Sequence, residues 1–176
     1  SVREYIINEC HNEGIFRKCG NFSTIQQLGS EFAQNNCQIP SSATVFEVAD
    51  FLKQWLNSLP EPLITPNIAA QFMKNNTNDP KSAVETLKHL NSLNRRTAAY
   101  IFSIIKAVLK QSNINKMHFG NIQSCFVTSL TQSQRGYPNY QFSLLYNVGS
   151  QLLNKDETDF ILQGPVLDQL LSQPLK

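Results

Sequence analysis

Charge is scarce in this 176-residue sequence: Asp, Glu, Lys and Arg together make up 16%, against about 25% in an ordinary soluble domain. The formal net charge is +2, too near neutral to predict a nucleic-acid partner from electrostatics. Long apolar runs are missing as well. The most apolar stretch, Ala98–Ile105, contains Ser103 and meets Lys106 at once, far short of the ~20 residues that span a bilayer, so no direct membrane insertion is expected. Cysteine is sparse, with Cys10, Cys19, Cys37 and Cys125 scattered and no CxxC pair. That spacing excludes a dense disulfide scaffold and predicts reduced thiols in the cytoplasm. Cys10, His11 and Cys19 fit no standard zinc spacing, so no metal is expected. His89 and His118 have no nucleophile or carboxylate at a readable spacing. Strand-like alternation and internal repeats are absent too. At the start, Ser1-Val2-Arg3-Glu4 passes straight into a helical pattern without a secretory leader, which predicts a domain cut from a longer protein.

What is present is enough for a core. Hydrophobic residues reach 41% and aromatics 10%, which excludes a disordered chain. A domain of this size buries roughly 70% of the surface its unfolded chain exposes. The period is helical. Ile25, Leu28 and Phe32 fall on one face of a helix opening near Ser23. Thr44 with Glu47 three residues later reads as a capping box, opening a helix that runs to Leu59 and ends at Pro60 and Pro62. Thr65-Pro66 and Asp79-Pro80 each place a capping residue before a proline, as at helix starts. Residues 94–111 form the most apolar helix, apolar on more than one face, which predicts a central position. Phe119, Ile122, Phe126 and Leu130 mark a further helix. Arg135-Gly136-Tyr137-Pro138 reads as a loop, and helices are expected over Tyr140–Leu153, over Glu157–Leu162 and after Gly164-Pro165. The expectation is one all-α domain over residues 1–176, with roughly eight or nine helices.

Three stretches stand out from this periodicity. The first, EGIFRKCG, places two glycines around an aromatic-arginine pair. Gly14 and Gly20 would permit a tight path with positive φ, Ile15 and Phe16 would pin the loop to the core, and Arg17 would be held outward. The second is FLKQWLNSLPEPL, from Phe51 to Leu63. The third is NKMHFGNIQSCFVTSL, from Asn115 to Leu130. In this order and at these distances they resemble the signatures of the RhoGAP family, the all-α domains that activate Rho-type small GTPases. Those signatures read roughly EGIFRxSG, LLKxFLRELPEPL and NKMxxxNLAxxFxPSL. The resemblance extends from about Tyr5 to Leu130, and Asn94-Arg95-Arg96-Thr97 is similar to the NRxT stretch that opens the family's long central helix.

The resemblance implies a function and a division of roles. The chain would be an activator of a partner GTPase and not itself the hydrolase. Its partner would be a Rho-, Rac- or Cdc42-type GTPase in the GTP-bound form, engaged by a monomer in the cytoplasm. Arg17 matches the arginine finger. Lys53 and Asn121 match the lysine and asparagine that help hold the GTPase switch regions. Four positions depart from the pattern: Asn57 replaces an arginine, Thr128 a proline, Cys19 a serine and Asn91 a proline. The arginine missing at Asn57 is the most serious, because it lies beside the finger loop in the family. It implies, as the alternative, an interaction module with little activating power.

The chemistry fits these residue types. Phosphoryl transfer to water spreads negative charge over the transferring group, and a guanidinium is charged, planar and rich in donors. Such a finger contributes ~10³–10⁵ in rate, or about 4–7 kcal/mol of barrier. Nucleotide and magnesium belong to the GTPase, so no cofactor is expected here. Asp50, Lys53 and Asn57 fall at steps of three and four, and Asn121, Cys125 and Thr128 align on their own helix. Each set predicts a polar stripe turned away from the core, where the resemblance implies a partner-facing surface.

Overall fold

The computed structural model describes residues 1–34, 38–74, 86 and 89–132, and helix is the regular structure found among them. The elements are α1 (Val2–Asn8), α2 (Phe22–Gln34), α3 (Val45–Ser58), α4 (Pro66–Lys74), α5 (Ser92–Lys110), α6 (Ser112–Asn115) and α7 (Phe119–Thr131). The helices expected from Tyr140 onward, and nearly all of the one after Pro80, lie outside the described residues.

Helix starts follow local chemistry. Ser1 and Glu4 form a reciprocal capping box on α1, and Thr44 and Glu47 do the same on α3, each pair satisfying amides that have no partner within the helix. Asn91 caps α5 by accepting from the Asn94 amide at 2.8 Å. The residue that departs from the family pattern there is thus a helix cap, and α5 begins at Ser92, two residues earlier than its apolar pattern. Pro66 opens α4 at the position where a missing amide proton is tolerated.

Packing centres on α3, which lies against α1, α2 and α7, while α5 lies against α1 and α6. The inner face of α3 buries Val45, Val48, Phe51, Leu52, Trp55 and Leu56, and Phe51 meets Phe32 of α2 with ring centroids 5.6 Å apart. In α5 every residue from Thr97 to Ile105 is buried, as its broad apolar surface predicts. Polar side chains tie the layers together. The Tyr5 hydroxyl donates to the Ala43 carbonyl at 2.9 Å, and Arg3 Nε donates to Ser103 Oγ at 2.8 Å. Buried Gln132 donates from Nε2 to the carbonyls of Leu56 and Leu59, satisfying orphan acceptors at the C-terminal end of α3. The Ile64 amide then bonds the Leu130 carbonyl at 3.0 Å, so the proline turn after α3 is fastened to the end of α7. Among the described residues no helix is long and apolar enough to cross a membrane.

Candidate functional site: an anchored arginine loop

Between α1 and α2 the chain turns around Gly14. Its carbonyl accepts from the amides of Arg17 and Lys18, both at 2.8 Å, and its own amide donates to the Asn115 carbonyl at 2.8 Å. Gly14 has φ 79°, the left-handed conformation expected of a glycine here. Ile15 and Phe16 are buried at 0% and 1% exposure, and the Phe16 ring meets Phe126 of α7 edge-on with centroids 4.6 Å apart. Both therefore pin the loop to the core. Two details differ from expectation. The second left-handed residue is Phe16, with φ 68°, and not Gly20. Gly20 is required for a steric reason: a Cβ there would lie 2.7 Å from Glu47 Cα. Glycine's value at this position is close approach to a helix, not backbone freedom.

Arg17 is exposed, and among the described residues its guanidinium makes no hydrogen bond or ion pair. Its backbone, by contrast, is held from α3. Lys53 Nζ donates to the Phe16 carbonyl at 2.9 Å and pairs with Asp50 Oδ1 at 2.7 Å. Asp50 Oδ2 accepts the Gly20 amide at 2.8 Å, and Glu47 Oε1 accepts the Asn21 amide at 2.9 Å. Glu47 Oε2 also takes the Thr44 amide and hydroxyl. The polar stripe expected to face a partner is therefore turned largely onto the chain's own loop, with Glu47 and Asp50 both buried. Asn57, further along it, is half-buried and donates to Ser129 Oγ of α7 at 3.2 Å.

Electrostatics show which groups converge. Burial pushes the half-buried Cys125 thiol of α7 up, and the positive charges of Lys53 and then Arg17 oppose that rise, with Asp50 and Cys19 adding to it. Arg17 and Lys53 thus act on one point of α7. For Glu47, burial by itself raises the carboxyl. The hydrogen bonds from Thr44 and from the Asn21 amide outweigh it, leaving the group below its ordinary range.

Asn121, in the first turn of α7, donates from Nδ2 to the Lys116 carbonyl at 3.0 Å and bridges the turn that precedes its own helix. Thr128 is half-buried on the same helix. The structure thus brings the charges of Arg17 and Lys53 to bear on Cys125 and joins Asn57 to α7, while among the described residues no hydrogen bond or ion pair links Asn121 or Thr128 to the arginine loop. Sequence reasoning missed the anchoring by Glu47 and Asp50. A signal was present: acid, acid and base at three-residue steps on one helix, in a chain poor in charge.

A family model, the RhoGAP domain, matches residues 2–135; the chain belongs to the RhoGAP family. It is 30% identical over 129 residues to GTPase activating protein homolog 3 of Dictyostelium discoideum, covering 72% of this chain and 10% of that protein. It is 32% identical over 137 residues to Rho GTPase-activating protein 7 of Mus musculus, covering 72% of this chain and 12% of that protein. The matched region thus spans about a tenth of the length of these curated relatives. Among solved structures, the BH domain of GRAF, the GTPase regulator associated with focal adhesion kinase, superposes with a TM-score of 0.66 at 19% identity, covering 93% of this chain and 96% of that one. Human Rho GTPase activating protein 15 gives 0.69 at 20% identity, covering 93% and 83%. These two likenesses establish the fold.

Proposed function

We propose that this chain is a single domain that stimulates GTP hydrolysis by a GTP-bound Rho-family small GTPase, with Arg17 inserted in trans as an arginine finger. One observation carries the reading: an exposed guanidinium without an internal partner among the described residues stands on a backbone anchored at both sides, at Phe16 and at Gly20. A finger needs this combination. A loose backbone would have to be ordered at each encounter, and a side chain already paired would have to break that pairing.

In the proposed complex the GTPase performs the hydrolysis, and Arg17 neutralises charge that develops on the transferring phosphoryl group. Lys53 has three donors. Two are committed within this chain, leaving one toward a partner. Asn121 uses one carboxamide hydrogen on Lys116, and with Thr128 it supplies the α7 side of the proposed contact surface, Asn57 lying at its α3 edge. The proposed setting is the cytoplasm, with the domain acting as a monomer.

The test is single-turnover GTP hydrolysis on Rho-, Rac- and Cdc42-type GTPases with wild type, Arg17→Ala and Arg17→Lys. The alanine variant is expected to lose ~10³-fold or more of the stimulation. Lysine should recover little, because it keeps the charge and loses the planar fork. Thermal stability should move by no more than about 0.5 kcal/mol in either variant. Equal stimulation by wild type and Arg17→Ala on every GTPase would remove the finger assignment.

A second reading rests on Asn57, whose side chain bonds Ser129 and carries no charge. With no guanidinium at that position, the domain would bind GTP-loaded partners without accelerating turnover. Equal affinity for ground-state and transition-state-mimic forms of the GTPase would favour that reading.

A further inference from the structure

We infer that Asp50 is a positioning residue for Arg17, closing a clip that spans the loop from the Phe16 carbonyl, through the Lys53 ammonium, to the Gly20 amide. The inference rests on the proposed finger role of Arg17 and names the group that sets its geometry. The two carboxylate oxygens are used separately. Oδ1 pairs with Lys53 Nζ at 2.7 Å, and Oδ2 accepts the Gly20 amide at 2.8 Å. Lys53 Nζ in turn reaches the Phe16 carbonyl at 2.9 Å. The loop from Phe16 to Gly20 is therefore closed into a ring by one ion pair and two hydrogen bonds, and Arg17 sits within that ring.

Why an acid is needed follows from the donors it faces. Both partners present N–H groups, and a carboxylate accepts at both oxygens, whereas a carboxamide would aim its NH₂ at one of them. The pair is also well shielded, with side-chain exposures of 12% for Asp50 and 20% for Lys53, so salt screens it weakly. Holding the lysine against the Phe16 carbonyl fixes the peptide that leads directly into Arg17. Small displacements of a reacting group carry large rate penalties, ~10²-fold for about 1 Å.

The experiment measures affinity for one Rho-type GTPase in two states: loaded with a non-hydrolysable GTP analogue, and loaded with GDP plus aluminium fluoride, which mimics the transferring phosphoryl group. Single-turnover rates at saturating domain accompany it. Wild type and Arg17→Ala are compared first. If they bind the fluoride form equally, the finger reading fails and takes this inference with it. Where wild type prefers the fluoride form, Asp50→Asn is expected to lose about tenfold or more of that preference and ~10–100-fold in rate. Its affinity for the analogue form should stay within about threefold of wild type. Asp50→Glu, which restores the charge, should recover part of the rate. Rates and preference within about twofold of wild type for Asp50→Asn would overturn the inference, as would equal losses in both GTPase states. Failure of both Asp50→Asn and Asp50→Ser to fold would overturn it too, because Asp50 would then serve the fold and not the finger.

Discussion

Lys53 Nζ lies 2.9 Å from the carbonyl oxygen of Phe16, and Phe16 is the residue that turns the backbone left-handed immediately before Arg17. A side chain other than glycine costs about 1–2 kcal/mol in that conformation. Here the cost is offset by burial of the ring against Phe126 and by the ammonium on its carbonyl. Strain, packing and charge thus meet at one peptide, and the exposed arginine follows directly from it.

Phe16 can be separated into those contributions by substitution. Phe16→Ala removes the ring and keeps the strained φ, so it should destabilise the fold by about 3–5 kcal/mol. Phe16→Gly also removes the ring but relieves the strain, so it should be milder than alanine by about 1 kcal/mol. Urea unfolding of the pair checks the order. Glycine proving worse than alanine would mean that the left-handed geometry is not enforced in solution.

The two loop glycines should respond differently to alanine. At Gly14 an added Cβ would crowd the Lys18 side chain, with Cγ and Cε both at 3.0 Å, rather than helix backbone, and φ 79° adds a conformational penalty of about 1–2 kcal/mol. At Gly20 the Cβ would meet the α3 backbone at 2.7 Å, so loop and helix must part, at about 1–3 kcal/mol. Separation also breaks the amide bonds to Asp50 and Glu47. Amide hydrogen exchange at residues 20 and 21 is expected to quicken in Gly20→Ala and to stay slow in Gly14→Ala; the same protection in both variants would contradict the close approach.

Glu47 ties the loop to pH. Its carboxyl lies below the ordinary value of 4.5 in the folded chain, so around that pH the unfolded state binds the extra proton. Its contribution to stability is therefore complete above about pH 4.5 and is lost as pH falls through the depressed value. The stability gap between wild type and Glu47→Gln, measured by urea midpoint, should be largest near neutrality and shrink toward about pH 3. Other acids, Glu4 among them, titrate in both proteins and cancel in the comparison. A gap that does not change with pH would show that Glu47 acts through shape alone.

Much of this was legible in the sequence because it rests on local chemistry. Thr44 and Glu47 announce the start of α3, Pro60 and Pro62 its end, and the three signatures the family. Ile15 and Phe16 could be read as the loop's anchors because two large apolar residues between glycines have few other places to go. The tertiary partners of polar groups were not legible. Helical spacing puts Asp50, Lys53 and Asn57 on one face but does not say whether solvent, a GTPase or the chain's own loop covers it. Gly20 was read for backbone freedom because sequence gives no sign that α3 passes within reach. Gln132 gave no sign either, since its carbonyl partners lie more than 70 residues away in the chain.

Asn115 offers a test at the base of the loop. It is fully buried; its Nδ2 donates to the carbonyls of Cys10 and Val108 at 2.7 and 2.8 Å, and its Oδ1 accepts the Met117 amide at 2.8 Å. Its backbone carbonyl holds Gly14. Replacement by aspartate is nearly isosteric but aims a negative oxygen at two carbonyls, which should destabilise the fold by about 3–5 kcal/mol at neutral pH. Burial beside acceptors would raise that carboxyl above its unfolded value. The unfolded state then loses its proton first as pH rises, so the variant should regain stability as pH falls through the raised value, where a protonated acid can donate one of the lost bonds. Wild type carries no such group at this site. Asn115→Asp should therefore grow more stable relative to wild type between about pH 7 and about pH 5, and a constant difference across that range would mean that the carboxylate escapes to solvent and the turn at Gly14 is not held from below.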